Sequence, residues 1–308
     1  MKLSQLGEFG LIELISPHES KRPDTFVGIG DDAAVLQSRV TGRGSRVYTL
    51  ITTDALIENV HFKRTGLSFF ALGQKALAAN ISDIAAMGGW PTHALVTVGL
   101  PESLSVEKIE EFYRGLNSLA KKYKIDIVGG DTVASPKELV ISITLLGEVE
   151  TKNLLLRSSA KPGDFICVTG KFGGPASQGY DPRLGTRDTR LKEARSIAKA
   201  RLATAMIDSS DGLVRSVLEL CKASKVGARI FEDCVPVAKG ATLEQALYGG
   251  EEYELVFTVP KSKVPSPKSK VKMAIVGEIV GAKQGVKLVD KHDKIKPLKS
   301  GGYEHFKK

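Results

Sequence analysis

Five short stretches set acidic or hydroxyl side chains beside glycine or at the end of an apolar run. They are Gly28-Ile29-Gly30-Asp31-Asp32, Thr52-Thr53-Asp54, Asn80-Ile81-Ser82-Asp83, Gly129-Gly130-Asp131-Thr132 and Asp208-Ser209-Ser210-Asp211-Gly212. Carboxylates and hydroxyls are hard oxygen donors, and a set of them with no companion His/Cys cluster suits Mg²⁺ better than zinc. Glycine lets backbone pass close to a ligand. Several Mg²⁺ ions and glycine-rich turns together point to phosphate chemistry, in which metals neutralise a polyphosphate and protein donors position it. Asp83 carries the strongest signal. It interrupts the apolar run Ala76-Leu77-Ala78-Ala79-Asn80-Ile81-Ser82-Asp83-Ile84-Ala85-Ala86, and a carboxylate buried there needs a partner such as a metal ion. The same residue types also build turns and helix caps, so Asp54 and Asp131 read equally as strand-end turn formers, and Ser210 or Asp211 as an N-cap. No Walker A signature (GxxxxGK[ST]) and no protein-kinase motif set occurs. Spacing alone therefore reaches a Mg²⁺-dependent nucleotide or phosphate enzyme and no further.

The elements that must position these residues follow from hydrophobic periodicity. Leu6 to Ile15 carries Leu6, Phe9, Leu11, Ile12 and Ile15 at helical spacing and stops near Ser16-Pro17. Residues 46–53 predict a buried strand ending at Thr52-Thr53-Asp54. Ser68 to Met87 predicts a long helix closed by Gly88-Gly89. His93 to Gly99 is an expected strand, Ser105 to Tyr123 a helix with one apolar face, and Ile125 to Val128 a short strand running into Gly129-Gly130-Asp131-Thr132. Leu139 to Leu145 alternates, with Ser142 and Thr144 on its polar side. In the second half, strands are expected at Phe165–Thr169, Ala228–Phe231, Glu254–Val259 and Val271–Val276, with a short segment at Ala205–Ile207. Helices are expected over Thr189–Ala200 and from about Asp211 to Ala223, and a loop over Lys261–Lys270. Alternating strands and helices give a mixed α/β (α+β) class with two layered domains, divided at 1–148 and 149–308.

A chain of 308 residues is long enough for a substantial core. Its apolar runs fall short of the ~20 residues of a membrane span, and Met1-Lys2-Leu3-Ser4-Gln5 does not begin a signal peptide, so a cytoplasmic location is expected. Three widely spaced cysteines, Cys167, Cys221 and Cys234, disfavour structural disulfides and a cysteine zinc site. The net charge of +9 is local. Of 44 basic side chains 13 are lysines in 261–308, and of 35 acidic ones four lie there, leaving 31 of each sign in the first 260 residues. Such a tail admits a nucleic-acid surface, but no groove-reading motif accompanies it, and solvated lysines are the simpler reading.

Seven motifs in one order carry a resemblance. GIGDDAAVL (28–36), TTD (52–54) with His61-Phe62, ALAANISDIAAMGG (76–89), VGGDT (128–132), LLRSSAKPGD (155–164), DSSDGL (208–213) and GGEEYEL (249–255) resemble thiamine-monophosphate kinase. The likeness spans nearly the whole chain, to Gly302-Tyr303-Glu304-His305-Phe306. That family belongs to a superfamily with aminoimidazole-ribonucleotide synthetase and selenophosphate synthetase. The resemblance implies their two-domain fold, with an N-terminal sheet forming a barrel in a homodimer and a C-terminal mixed α/β domain. It also implies direct transfer of a phosphoryl group from ATP to thiamine monophosphate.

By motif, the resemblance makes Asp31, Thr52, Thr53, Asp54, Asp83, Asp131, Asp208 and Asp211 ligands of several Mg²⁺ ions. Asp31 is the expected ligand of the Asp31-Asp32 pair, and the part played by Asp32 stays open. Tyr113, Gly130, Asp131, Arg157 and Ser210 would contact ATP. His61, Glu251 and Tyr303 would contact the thiamine phosphate. Asp54, Asp83 and Arg157 would carry catalysis by positioning and charge neutralisation, since a phosphate acceptor is already ionised. Ser159, where glycine is expected, and Lys171-Phe172-Gly173-Gly174-Pro175 depart from the family pattern. A ring-closing synthase of the same superfamily is the alternative enzyme. The absence of a reactive cysteine in a glycine-rich N-terminal segment argues against selenophosphate synthesis.

Overall fold

The computed structural model describes residues 2–16, 22–37, 46–65, 67–178, 189–266, 271–296, 298 and 302–306. Pro17 and residues 267–270, parts of an expected helix stop and an expected loop, lie outside them. In chain order the helices are α1 (Leu3–Ile15), α2 (Phe69–Ala86), α3 (Val106–Tyr123), α4 (Gly174–Gln178), α5 (Leu191–Lys199), α6 (Leu213–Ser224) and α7 (Leu243–Tyr248). The strands are β1 (Thr25–Val27), β2 (Ala34–Gln37), β3 (Val47–Ile57), β4 (Trp90–Pro101), β5 (Asp126–Ser135), β6 (Val140–Glu150), β7 (Asp164–Val168), β8 (Ala205–Ser209), β9 (Gly227–Phe231), β10 (Glu254–Pro260), β11 (Ala274–Val280), β12 (Val286–Val289) and β13 (Ile295–Lys296). One compact unit comprises Asp32–Leu154 and Tyr180–Ser196; the other comprises Met1–Asp31, Leu155–Gly179 and Ile197–Lys308. The expected division at 148/149 falls inside β6, and the two units interleave along the sequence.

In the first of these units, β2, β3, β6, β4 and β5 lie side by side in that order. The β3–β6 and β4–β6 pairs are antiparallel and β4–β5 is parallel. Four expected strands, β3, β4, β5 and β6, run longer than predicted, and their partners explain it. The β3 strand does not stop at Thr52-Thr53-Asp54, because Thr52, Thr53 and Asp54 pair with Leu145, Thr144 and Ile143 and the ladder continues to Ile57. Likewise, Gly129-Gly130-Asp131-Thr132 is not a strand end, since β5 pairs with β4 as far as Ser135. The β4 strand extends both ways along β6. Leu145, Ile143 and Ile141 alternate inward along β6 while Ser142 and Thr144 face outward, as the pattern predicts.

α2 and α3 follow their predicted bounds, with Ser68 as the N-cap of α2, its hydroxyl accepting the Ala71 N–H at 3.1 Å. The two helices touch through backbone. A Cβ on Gly73 would lie 2.1 Å from the Phe112 carbonyl oxygen, and one on Gly115 would lie 1.9 Å from that of Phe70. Leu72, Leu77, Ile81, Ile84, Phe112, Leu116 and Leu119 bury their side chains within the unit.

Arg195 on α5 reaches the end of β6, donating to both Glu150 carboxylate oxygens at 2.7 and 2.8 Å and to the Gly88 carbonyl at 2.8 Å. The Arg195 guanidinium holds the Glu150 carboxyl at about 2, down from 4.5. A depressed folded pKa stabilises above the unfolded value and loses that contribution as pH falls toward the folded one. Arg195→Met is therefore expected to lower the thermal midpoint at pH 7, with the deficit narrowing between roughly pH 5 and pH 3. Parallel melting curves check this, and a pH-independent deficit would assign Arg195 a packing role only.

The other unit holds a seven-stranded sheet ordered β13-β12-β9-β11-β7-β10-β8, antiparallel except for β12–β9. Its core gathers Ile166, Val168, Phe172, Ile207, Val214, Val217, Leu220, Ile230, Val256 and Ile279. β11 lies three residues later than predicted at its start, because its ladder to β7 and β9 is built through Gly277. There, a Cβ would sit 2.2 Å from the Arg229 carbonyl oxygen. The short elements β1, β12, β13, α4 and α7 have too few residues to show a period and were not predicted. The cysteines are free thiols, with Cys167 and Cys221 buried.

Candidate active site

In the unit built on β3 and α2, strand pleat and helix face bring four candidates together. Thr52, buried on the α2 side of β3, donates its hydroxyl to Asp83 Oδ2 at 2.6 Å. Two residues on, and on the same side, the Asp54 N–H donates to Asn80 Oδ1 at 3.1 Å. Asn80 is fully buried and also donates to the Ala76 carbonyl one turn back, so its amide is locked between helix and strand. Asp32, which is buried, offers a carboxylate oxygen within 4.8 Å of one from Asp83. Burial pushes the Asp54 carboxyl up to about 6. A lone buried carboxylate is costly as an anion, and closely placed carboxylates need a cation or protons between them. All donors here are oxygens, which fits a hard divalent cation.

Thr53 does not join this group. The pleat turns it to the opposite face, where its hydroxyl donates to the Ile143 carbonyl at 3.1 Å. Asp131 does not join it either. Through Thr97 and Ser142 the sheet register places Asp131 on the outward face, with its carboxylate accepting the Thr132 N–H at 2.8 Å. Gly130 beside it has φ +153°, and a Cβ there would lie 1.8 Å from the Val96 carbonyl oxygen. Tyr113 stands half-buried on α3, edge-on to Phe112 at 5.3 Å.

His61 lies in the loop after β3. Its Nδ1 accepts the Ile57 N–H at 2.9 Å, which fixes the neutral ring as the Nε2–H tautomer. Its carbonyl accepts from Lys75 Nζ at 3.0 Å. Lys75 is 1% exposed and was not predicted, nor were the roles of Asn80 and Asp32. The available signal was a lysine inside an alanine-rich apolar helix, a rarity unless the charge has work to do.

In the other unit, the candidates hang on one turn. Asp208 and Ser209 complete β8, and Gly212, with φ +101°, is the N-cap of α6. No side chain caps that helix, so Ser210 and Asp211 do not act as its cap. Instead three successive carbonyls of the turn each receive a distant N–H. Ser209 accepts from Tyr253 at 2.8 Å, Ser210 from Glu251 at 2.5 Å and Asp211 from Tyr303 at 3.3 Å. Two candidates far apart in sequence, Glu251 and Tyr303, are thus fixed to the residues carrying Ser210 and Asp211.

Burial first, then the Glu8 charge, pushes the Asp211 carboxyl up to about 6, against the pull of Arg215, His305 and Arg157. The Asp31 carboxylate accepts the Arg157 N–H at 3.1 and 3.4 Å. The Arg157 carbonyl accepts the Ser224 hydroxyl at 2.9 Å, so the Arg157 backbone is held from both sides. Asp31 and Arg157 line a cavity of about 320 Å³ with Phe9, Ile12, Ile29 and Lys222. In the lysine-rich tail, Lys296 pairs with Glu232 and Asp290, and Lys261 with Glu278.

Comparison with known proteins matches residues 30–149 to the family model "AIR synthase related protein, N-terminal domain" and 162–290 to "AIR synthase related protein, C-terminal domain". Thiamine-monophosphate kinase of Bacillus subtilis is 35% identical over 98% of this chain and 100% of its own length. The chain belongs to the thiamine-monophosphate kinase family. That of Aquifex aeolicus is 34% identical over 85% of this chain and 89% of its own. A solved structure described as AaThiL complexed with AMPPCP and TMP superposes with TM-score 0.84, at 32% identity and 99% coverage of both chains. A HypE–HypF complex, at TM-score 0.70 and 20% identity, shares the fold.

Proposed function

We propose that the protein transfers the γ-phosphoryl group of ATP to the phosphate of thiamine monophosphate, giving thiamine diphosphate and ADP. One observation carries this reading most. The chain matches, over 99% of its length, a relative solved with an ATP analogue and a ligand abbreviated TMP, and its own buried oxygen donors suit the metal that ATP chemistry requires. In the β3–α2 unit, Asp54, Asp83, Thr52 and Asp32 would hold Mg²⁺, and Thr53 and Asp131, on the opposite face of the sheet, would serve a separate ion. In the other unit, Asp31, Asp208 and Asp211 would do so.

When bound, Mg²⁺ supplies charge neutralisation of the polyphosphate. The chain's own residues orient. Arg157 would clamp a phosphate of ATP, with Ser210, Gly130 and Tyr113 as further ATP contacts. His61, through Nε2–H, would donate to the phosphate of the acceptor, and Glu251 and Tyr303 would meet its rings, an aromatic face suiting a cationic thiazolium.

The compartment we assign is the cytoplasm. Among the described residues no helix is long and apolar enough to cross a membrane. A homodimer is part of the same proposal. The outward face of the β3–β6–β4–β5 sheet leaves Leu95 41% and Val133 49% exposed, apolar surface that a second copy would cover. The domains are assigned as 1–148 and 149–308, supported by the family matches ending at 149 and resuming at 162. Incubation with thiamine monophosphate, ATP and Mg²⁺ tests the reaction. Thiamine diphosphate and ADP in equal amounts are expected, whereas ADP and inorganic phosphate with thiamine monophosphate unchanged would contradict the reading.

A further inference from the structure

The loop that carries Glu251 is held in a conformation its residues disfavour. Glu251 has φ 64° and Tyr253 φ 50°, and neither is glycine. Non-glycine residues enter this region rarely, and two at alternate positions persist only where the surroundings over-determine them. Between and after them stand Glu252 and Glu254, which are 2% and 4% exposed. The usual order is inverted here, with acidic side chains alternating inward at positions where a strand entering a core would place apolar ones.

Each buried carboxylate grips the same neighbouring segment. Glu252 Oε1 accepts the Gly173 N–H at 2.5 Å. Glu254 Oε2 accepts the Thr169 hydroxyl at 2.6 Å, and that hydroxyl in turn accepts the Leu255 N–H at 2.9 Å. The segment after β7 is shaped to receive them. Gly170 has φ +56°, and a Cβ on it would lie 2.0 Å from a Glu254 carboxylate oxygen. Gly173 has φ +89°. On its other side the loop is bonded to the Ser209 and Ser210 carbonyls. The loop is therefore fastened along both sides, from the Glu251 N–H to the Glu254 carboxylate, and the backbone that carries the Glu251 side chain is fixed by these bonds.

We infer that Glu252 and Glu254 are positioning residues that clamp the strained Glu251–Tyr253 loop to the Thr169–Gly173 segment, so that Glu251 meets the thiamine moiety of the acceptor in a fixed pose. This rests on the proposed role of Glu251. The clamp acts on acceptor binding, not on ATP, and a general packing role would weaken both.

The test measures dissociation constants calorimetrically for thiamine monophosphate and, separately, for a non-hydrolysable ATP analogue, each with Mg²⁺. Glu252→Leu deprives the Gly173 N–H of its acceptor, Glu252→Gln keeps an acceptor oxygen, and Thr169→Val removes the Glu254 bond from the opposite partner. Glu252→Leu and Thr169→Val are expected to weaken thiamine monophosphate about tenfold while leaving the nucleotide within about twofold, and Glu252→Gln to recover most of the loss. Should Glu252→Leu fail to fold, Thr169→Val and Glu252→Gln carry the same comparison. Wild-type affinity for thiamine monophosphate in the variants, or parallel weakening of both ligands, would overturn the inference. A wild-type protein that does not bind thiamine monophosphate would overturn the functional reading and the inference with it.

Discussion

Asp83→Ala and Asp54→Ala are each expected to lower turnover by about 10³-fold or more at saturating Mg²⁺, with thermal midpoints that stay close to wild type. The two halves of this expectation have one cause. Asp54 is buried enough to lift its carboxyl to about 6, and Asp83 accepts the buried Thr52 hydroxyl at 2.6 Å. Charges placed so are costly to the fold, so removing one relieves desolvation even as it strands the hydroxyl. Such residues persist for function, and their loss typically leaves stability unchanged or raised. Steady-state rates across a Mg²⁺ titration, beside melting curves, separate the outcomes. A wild-type rate in either variant would remove that carboxylate from the metal set.

Gly115→Ala is expected to destabilise by about 3 kcal/mol, against the roughly 1 kcal/mol gain that alanine gives an exposed helix interior. The added Cβ would lie 1.9 Å from the Phe70 carbonyl oxygen, and Gly73 makes the reciprocal approach on α2, so neither helix can yield locally. Because α2 carries Asn80 and Asp83 against β3, separation of the helices would also loosen the Thr52–Asp83 and Asp54–Asn80 bonds. Urea unfolding checks this. A lowered midpoint with an unchanged slope is the expected result, and a stabilised variant would show that the crossing is looser than described.

Long periodic elements were legible in the sequence, and so were the five acidic stretches. α2 stops at the glycines that predicted its end and α3 where its apolar face runs out, because local propensity and burial agree there. The extent of β3, β4 and β5 was not legible, since a strand continues as far as its partner does and pairing is a non-local property. The side of the sheet taken by Thr53 and Asp131 depends on the same register. Asp32 and Asp83 approach each other across fifty residues, and the three carbonyls of Ser209, Ser210 and Asp211 collect donors from two later segments. Such juxtapositions belong to the fold, and a motif can name the residues without naming which of them touch.

The most direct measurement follows the label from [γ-³²P]ATP in the presence of thiamine monophosphate, Mg²⁺ and the purified protein. Radioactivity recovered in thiamine diphosphate, and absent when Asp83→Ala replaces wild type, is the predicted result. Label released as inorganic phosphate, with thiamine monophosphate unchanged, would contradict it.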